Sequence, residues 1–353
     1  MADPDRAPGP DAPRVLCAPD TFRGSAAADA VAAAMAAGAR DAGWAADPLP
    51  LADGGEGTVA ALGGATDVAR VTGPLGAPVE AGWRRDGATA VVEVAACSGL
   101  LLAGGREGND PLRATSAGVG ELIAHALARG ARRVVVALGG SATTDGGVGA
   151  VEALAAAAPG AGPAAARARA ALAGVELVVA ADVRTRFLDA APVFAPQKGA
   201  SPAQVRALGA RLRAVADRWR RELGVDVTAV DGSGAAGGLG GALHALGGRI
   251  VDGFGYVAEA VGLDRRLAAA DAVLTGEGAV DATTFAGKVV GAVLARAAAR
   301  GVPAGIVAGR VAAAPPGVPA ADLVARFGAR RALAETTACV RAATPGVLAA
   351  LAR

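Results

Sequence analysis

The chain has 353 residues and 35 basic against 33 acidic side chains, a formal charge of +2. The charges are mixed in sign and no basic run exceeds a triplet, which argues against a nucleic-acid or membrane surface. Three widely spaced cysteines (Cys17, Cys97, Cys339), with no CxxC pair, argue against a disulfide framework or a zinc site and for a reducing, cytoplasmic compartment. The 35 basic residues include only two lysines, Lys198 and Lys288.

In chain order, residues 1–13 are polar and proline-rich, lack the apolar core of a signal peptide, and are predicted to be disordered. "RVLCAPDTFRGSAAADAVAAAMAAGARDAG" predicts a strand at Val15 to Ala18, a loop carrying Asp20 and Arg23, and a helix entered at Ser25. "DPLPLADGGEGTVAAL" repeats the pattern with Asp53 and Glu56 in its loop. Next come a strand pair, "PVEAGWRRD" and "ATAVVEVAACSG", turning at Asp86-Gly87, then the helix "SAGVGELIAHALARG" and the strand "ARRVVVALGG". Alanine- and arginine-rich helices follow, and Pro159 to Ala171 reads equally as a helix or a mobile loop. "DAVLTGEGAVDATTFAGKVVGAVLARAAARG" restores the first pattern with Glu277, Asp281 and Lys288, and "PAGIVAG" adds a strand.

Alternating strands and helices imply an α/β fold with parallel sheets and right-handed crossovers. The expected organisation is a Rossmann-like parallel-sheet domain built from both chain ends (14–71 and 268–353) with an inserted mixed α/β domain (72–267). The active site is expected in the cleft between them, at the carboxyl ends of strands.

The stretch "VVVALGGSATTDGGVG" leads from a strand into a helix. Its glycines, Gly139 and Gly140, free backbone N–H groups for an anion, Ser141, Thr143 and Thr144 add hydroxyls, and Asp145 is a candidate ligand for Mg2+. "DGSGAAGGLG" holds GxGxxG at Gly232, Gly234 and Gly237, after the β-like "VDVTAV" and before Asp252. As a dinucleotide fingerprint it lies too late in the chain, so close packing is the better reading and an oxidoreductase the weaker one. Ala282 stands where a P-loop would need glycine. His125 and His244 lack metal-spaced partners and Cys97 lacks a nearby base, so these three read as structural. Asp20, Asp53, Asp145, Asp182, Glu277 and Asp281 all fall at predicted strand ends or in glycine loops, a supply of acids suited to a metal and a base in phosphoryl transfer.

Taken together, "CAPDTFRGS", "PLADGGEGT", "NDPLRATSAGVGELI", "GGSATTDGGVG", "FAPQKGA", "GAAGGLGGAL" and "TGEGAVDATTFAGK" resemble, in order and spacing, the motifs of the bacterial class I glycerate kinases. The resemblance runs from about Val15 to Gly309. It implies a two-domain α/β cytoplasmic enzyme, monomeric or homodimeric, whose partners are ATP and D-glycerate. The product it implies is 2-phosphoglycerate. Departures are Arg23 for the Lys of "SFKG", "ADVRTRFL" for "DVxNPL", Ala279 where Arg is common and Thr283 where Gln is common.

On this reading Asp182, Lys198 and Lys288 are catalytic. Asp182 would be the base, and the lysines point charges on transferring phosphate oxygens. Asp20, Arg23 and Asp53 would bind the acid, with the Arg23 fork suited to a carboxylate. Gly139, Gly140, Ser141, Thr143, Asp281 and Thr284 would take the nucleotide, and Asp145 and Glu277 the Mg2+. The alternatives are a catalytically weakened ligand-binding or regulatory protein on the same fold, or a kinase for another small hydroxy acid.

Overall fold

The computed structural model describes residues 12–285 and 288–352. The expected disordered tail up to Asp11, Gly287 and the side chain of Thr283 lie outside the described residues. The first strands are β1 (Arg14–Cys17), β2 (Ala45–Pro48), β3 (Asp67–Thr72), β4 (Pro78–Asp86), β5 (Thr89–Glu93) and β6 (Arg133–Ala137). They are followed by β7 (Glu176–Ala181), β8 (Arg249–Asp252), β9 (Ala272–Thr275) and β10 (Ala279–Val280). The last are β11 (Ala304–Ala308), β12 (Arg310–Val311) and β13 (Ala320–Asp322).

The chain divides into two compact units. One takes the chain up to Asp53, Ala60–Leu62 and everything from Val257; the other takes Gly54–Val59 and Gly63–Tyr256.

In the first unit both chain ends build one sheet, in the order β13-β11-β9-β1-β2, with all its pairings parallel. After β1 the chain crosses through a helix, Ala28–Asp41, to β2 on one side, and later returns to β9 on the other. That reversal beside β1 is the switch point where parallel sheets open a crevice at their carboxyl edge. The apolar runs of β1 and β9 are fully buried, as central parallel strands must be. The crossover helix begins at Ala28 rather than Ser25, because Phe22 to Ala26 closes on itself: Phe22 and Ala26 exchange backbone bonds and Ser25 Oγ donates to Phe22 O.

The second unit is a mixed sheet in the order β3-β4-β5-β6-β7-β8. β3, β4 and β5 form an antiparallel meander and β5 to β8 run parallel. β3 belongs to this sheet, paired from Asp67↔Trp83 to Thr72↔Pro78. Glu121 ties its end, accepting from Thr72 N at 2.6 Å and Thr72 Oγ1 at 2.7 Å. β5 stops at Glu93 and continues as a short helix, Val94–Ser98. The longest helix, Pro202–Leu223, opens on a Ser201/Gln204 capping box with Pro at its first position and closes on Gly224 in the left-handed region. "VDVTAV" after it is not a strand; Val227 is buried, but residues 225–230 are irregular. Within Pro159 to Ala171, Ala164–Ala171 is a helix. No helix among the described residues is long and apolar enough to cross a membrane.

Candidate active site

Backbone bonds between β1 and its neighbours place the acids of the first unit. Ala18 N donates to Leu274 O and Asp20 N to Gly276 O (2.8 Å), while Leu49 N and Leu51 N donate to Cys17 O and Pro19 O. Asp20, Asp53 and Glu277 therefore follow β1, β2 and β9 at the carboxyl edge of the sheet. All three are half-buried and electrostatically coupled. Burial and the nearby Asp53 charge push the Asp20 carboxyl up to about 7, with Glu277 adding to the rise and the Thr21 N–H and Arg23 opposing it. Glu277 is also raised by burial, against the lowering pull of Thr284 and Lys288. Thr284, fully buried, donates to Glu277 Oε1 at 2.6 Å and exchanges bonds with Asp281. Arg23, Asp281 and Lys288 are exposed. Lys288 is the N-cap of the helix Val289–Ala298. Seven of the candidate residues thus form one cluster. Ala279, where the resemblance leads one to expect Arg, pairs across β10 and β12 with Arg310.

No group of three or more His, Cys, Asp or Glu among the described residues stands close enough to hold a metal by itself. Mg2+ fits such a site nonetheless, since it keeps several waters and takes one or two carboxylates plus substrate phosphates. An acid cluster in which burial, and then a neighbouring carboxylate, raise a carboxyl is a donor set suited to a divalent cation.

In the second unit the Gly139 to Asp145 loop follows β6, and Asp182, exposed, follows the adjacent β7, with Ala137 paired to Ala180. Exposure within the loop is greatest at its start: Gly140 is exposed, Ser141 and Asp145 are nearly buried, and Thr143 and Thr144 are fully buried. Thr143 Oγ1 donates to Ala236 O at 3.3 Å, which turns it into the protein and away from a ligand. Asp145 is likewise a brace. Its carboxylate accepts from Ser116 N (2.9 Å), Ser116 Oγ (2.7 Å), Gly147 N (3.0 Å) and Gly149 N (3.2 Å), which fills the oxygens a metal would need. The GxGxxG segment packs against the loop: a Cβ on Gly237 would stand 2.0 Å from Thr143 O, and Gly146 N donates to Gly237 O. These glycines serve close approach of backbones.

Lys198 is 4 % exposed, and its Nζ donates to Ser141 Oγ (2.8 Å) and Thr143 O (2.7 Å). Burial pulls its ammonium down to about 7, against the Asp145 charge. The sequence reading missed Ser116, Asn109 and Trp219. Asn109 Nδ2 donates to Lys198 O (2.8 Å) and Ala142 O (3.2 Å), and Trp219 Nε1 to Gly146 O (3.3 Å). The first two lie within "NDPLRATSAGVGELI", whose polar residues were the available signal. Trp219 gave none beyond its place on an amphipathic helix. All three cysteines are free and buried.

A profile of the glycerate kinase family matches residues 15–353. An uncharacterized protein of Mycobacterium bovis is 45% identical over 290 residues, covering 79% of this chain and 74% of that one. The glycerate 2-kinase of Escherichia coli is 40% identical over 306 residues, covering 78% and 80%. The crystal structure of a protein from Salmonella typhimurium LT2, titled as a putative glycerate kinase 2, superposes with a TM-score of 0.77 at 35% identity, over 97% of this chain and 99% of that one. On this match, which spans nearly the whole sequence, the chain belongs to the glycerate kinase family: it is a kinase.

Proposed function

We propose that the protein transfers the γ-phosphate of ATP to the 2-hydroxyl of D-glycerate, giving 2-phosphoglycerate, with Mg2+, in the cytoplasm and as a monomer or homodimer. The observation that carries the reading is the coupled cluster Asp20–Asp53–Glu277, an excess of carboxylate that the divalent cation accompanying the nucleotide would offset. The name of the Escherichia coli relative supports the position of transfer.

Glu277, with Asp20 and Asp53 beside it, would hold the Mg2+, whose chemistry is to offset charge on the phosphate oxygens. This replaces Asp145, whose oxygens are committed to the protein. Gly139, Gly140 and Ser141 offer the accessible part of the phosphate loop, and Thr284 with Asp281 orients Glu277. Lys288 supplies an exposed positive charge toward phosphate, and Arg23 a planar fork for the glycerate carboxylate. Asp182 takes the hydroxyl proton, a contribution of about 10²–10⁴-fold for such a base.

A second reading, a kinase for another small hydroxy acid, rests on Arg184 and Arg186. Both follow Asp182 and converge on Asp231 at 3.0 and 3.2 Å, leaving an exposed excess of positive charge. Incubation with Mg-ATP and D-glycerate, L-glycerate, tartronate or glycolate, with ADP release and product NMR, tests both. The proposal requires D-glycerate to turn over best and to give 2-phosphoglycerate. Preference for a different acid favours the second reading, and no turnover with any acid sinks both.

A further inference from the structure

Every peptide in the Gly139 to Asp145 loop is trans, so each N–H points away from the carbonyl of the same peptide unit. Three carbonyls of the loop are tied down. Gly140 O accepts from Leu100 N (2.8 Å), Ala142 O from Asn109 Nδ2 (3.2 Å) and Thr143 O from Lys198 Nζ (2.7 Å). The first leaves the Ser141 N–H turned the other way, and among the described residues it meets no intrachain acceptor. Lys198 Nζ also donates to Ser141 Oγ. A hydroxyl oxygen accepting from an amine must aim its own hydrogen elsewhere, so Ser141 is held as a donor.

We propose that Lys198 and Asn109 are positioning residues: from beneath the loop they fix the Ala142 and Thr143 carbonyls, and Lys198, held by Asn109, orients the Ser141 hydroxyl so that it faces a ligand phosphate beside the N–H that the Leu100 bond turns outward. This rests on the loop being the phosphate site proposed above. Neither side chain touches the ligand; both act through the loop.

The two are themselves one assembly. The carboxamide of Asn109 bridges the Lys198 carbonyl and the loop. Gly199, at φ 94°, brings the lysine segment against the Arg106 carbonyl, which would stand 2.3 Å from a Cβ there. The geometry also gives a reason for lysine. One nitrogen reaches two acceptors at 2.7 and 2.8 Å inside a closed site, whereas the planar guanidinium of arginine spreads its donors over three nitrogens and needs more room.

The test is a pair of double-mutant cycles in the full chain, Lys198→Met with Ser141→Ala and Asn109→Ala with Ser141→Ala. KM for ATP and kcat are read separately, together with nucleotide affinity by calorimetry and amide exchange of residues 139–145. Each single variant is expected to weaken ATP on the order of tenfold, the loss of one or two strong hydrogen bonds. The lysine and asparagine variants should also speed exchange in the loop, while circular dichroism stays native. Because they act through Ser141, each double variant should be little worse than Ser141→Ala alone. Losses that multiply in both cycles, or unchanged loop exchange, overturn the positioning role while leaving the phosphate loop standing. Unchanged ATP affinity in Ser141→Ala overturns the phosphate loop and the inference with it. If Lys198→Met does not fold, the Asn109 cycle decides alone.

Discussion

The Thr284 hydroxyl donates to Glu277 Oε1 at 2.6 Å, and the same Thr284 exchanges bonds with Asp281 four residues beyond that glutamate. A single fully buried threonine thus fixes the direction of the carboxylate that stands at the end of β9. Groups that orient a metal ligand weaken the metal by roughly 10–100-fold when removed. Thr284→Val, close in volume, is therefore expected to raise the Mg2+ concentration for half-maximal turnover by about tenfold. A Mg2+ titration at fixed ATP checks it, and an unchanged curve would take Glu277 out of the metal site.

Asp20 predicts a variant that gains stability while losing function. Its carboxyl titrates near 7 in the folded chain, above the unfolded value, because it is buried beside Asp53. The native state therefore holds a proton that the unfolded chain has released. This contribution is fully present below about pH 4, shrinks as pH rises through the window from about 4 to 7, and is lost above it. Asp20→Asn removes that titration. At pH 8, without Mg2+, the variant is expected to be more stable by on the order of 1–3 kcal/mol, and at pH 4 nearly equal to the parent. Turnover is expected to fall to background. Urea midpoints at the two pH values settle the stability part.

The sequence made the sheets legible because central parallel strands need continuous apolar runs, and Val15 to Cys17, Val134 to Ala137 and Ala272 to Leu274 are such runs. It made the acids legible because a charged residue at the end of a buried strand has few structural uses. It could not separate acids by what faces them. Asp145 and Glu277 look alike in a glycine-rich loop, yet one is filled by Ser116 and two glycine N–H groups, whereas the other takes the Thr284 hydroxyl and stands near other acids. The partner that decides the matter, Ser116, lies 29 residues from Asp145 in the chain. "VDVTAV" misled for a similar reason: its β-branched residues follow a helix stop at Gly224, and Val227 is buried by tertiary packing outside any ladder.

Lys288 is exposed at the N-cap of the helix Val289–Ala298, and its charge lowers the Glu277 carboxyl. Arginine there keeps the charge but replaces a compact ammonium by a plane. Lys288→Arg is expected to lose at least about tenfold in turnover, about 1.4 kcal/mol of barrier. Stability should stay within about 0.5 kcal/mol, as for other exposed substitutions. Steady-state kinetics beside thermal melting separate the two effects, and wild-type turnover would show that charge alone suffices at this position.

Lys198 gives the opposite dependence on pH from Asp20. Burial lowers its folded value to about 7, whereas an unfolded lysine keeps its proton to about 10.4. Between these values the unfolded chain binds more protons than the native one, so stability rises with pH, by at most about 1.4 kcal/mol per unit from this group. Below 7 both states are protonated and the slope from this group vanishes. Lys198→Met has nothing to titrate. The difference in unfolding free energy between parent and variant is therefore expected to grow in favour of the parent from pH 7 to 9 and to be flat from 5 to 6. A parent and variant with parallel profiles from 7 to 9 would mean that the ammonium keeps its charge inside the fold, and that Ser141 and Thr143 solvate it better than its burial implies.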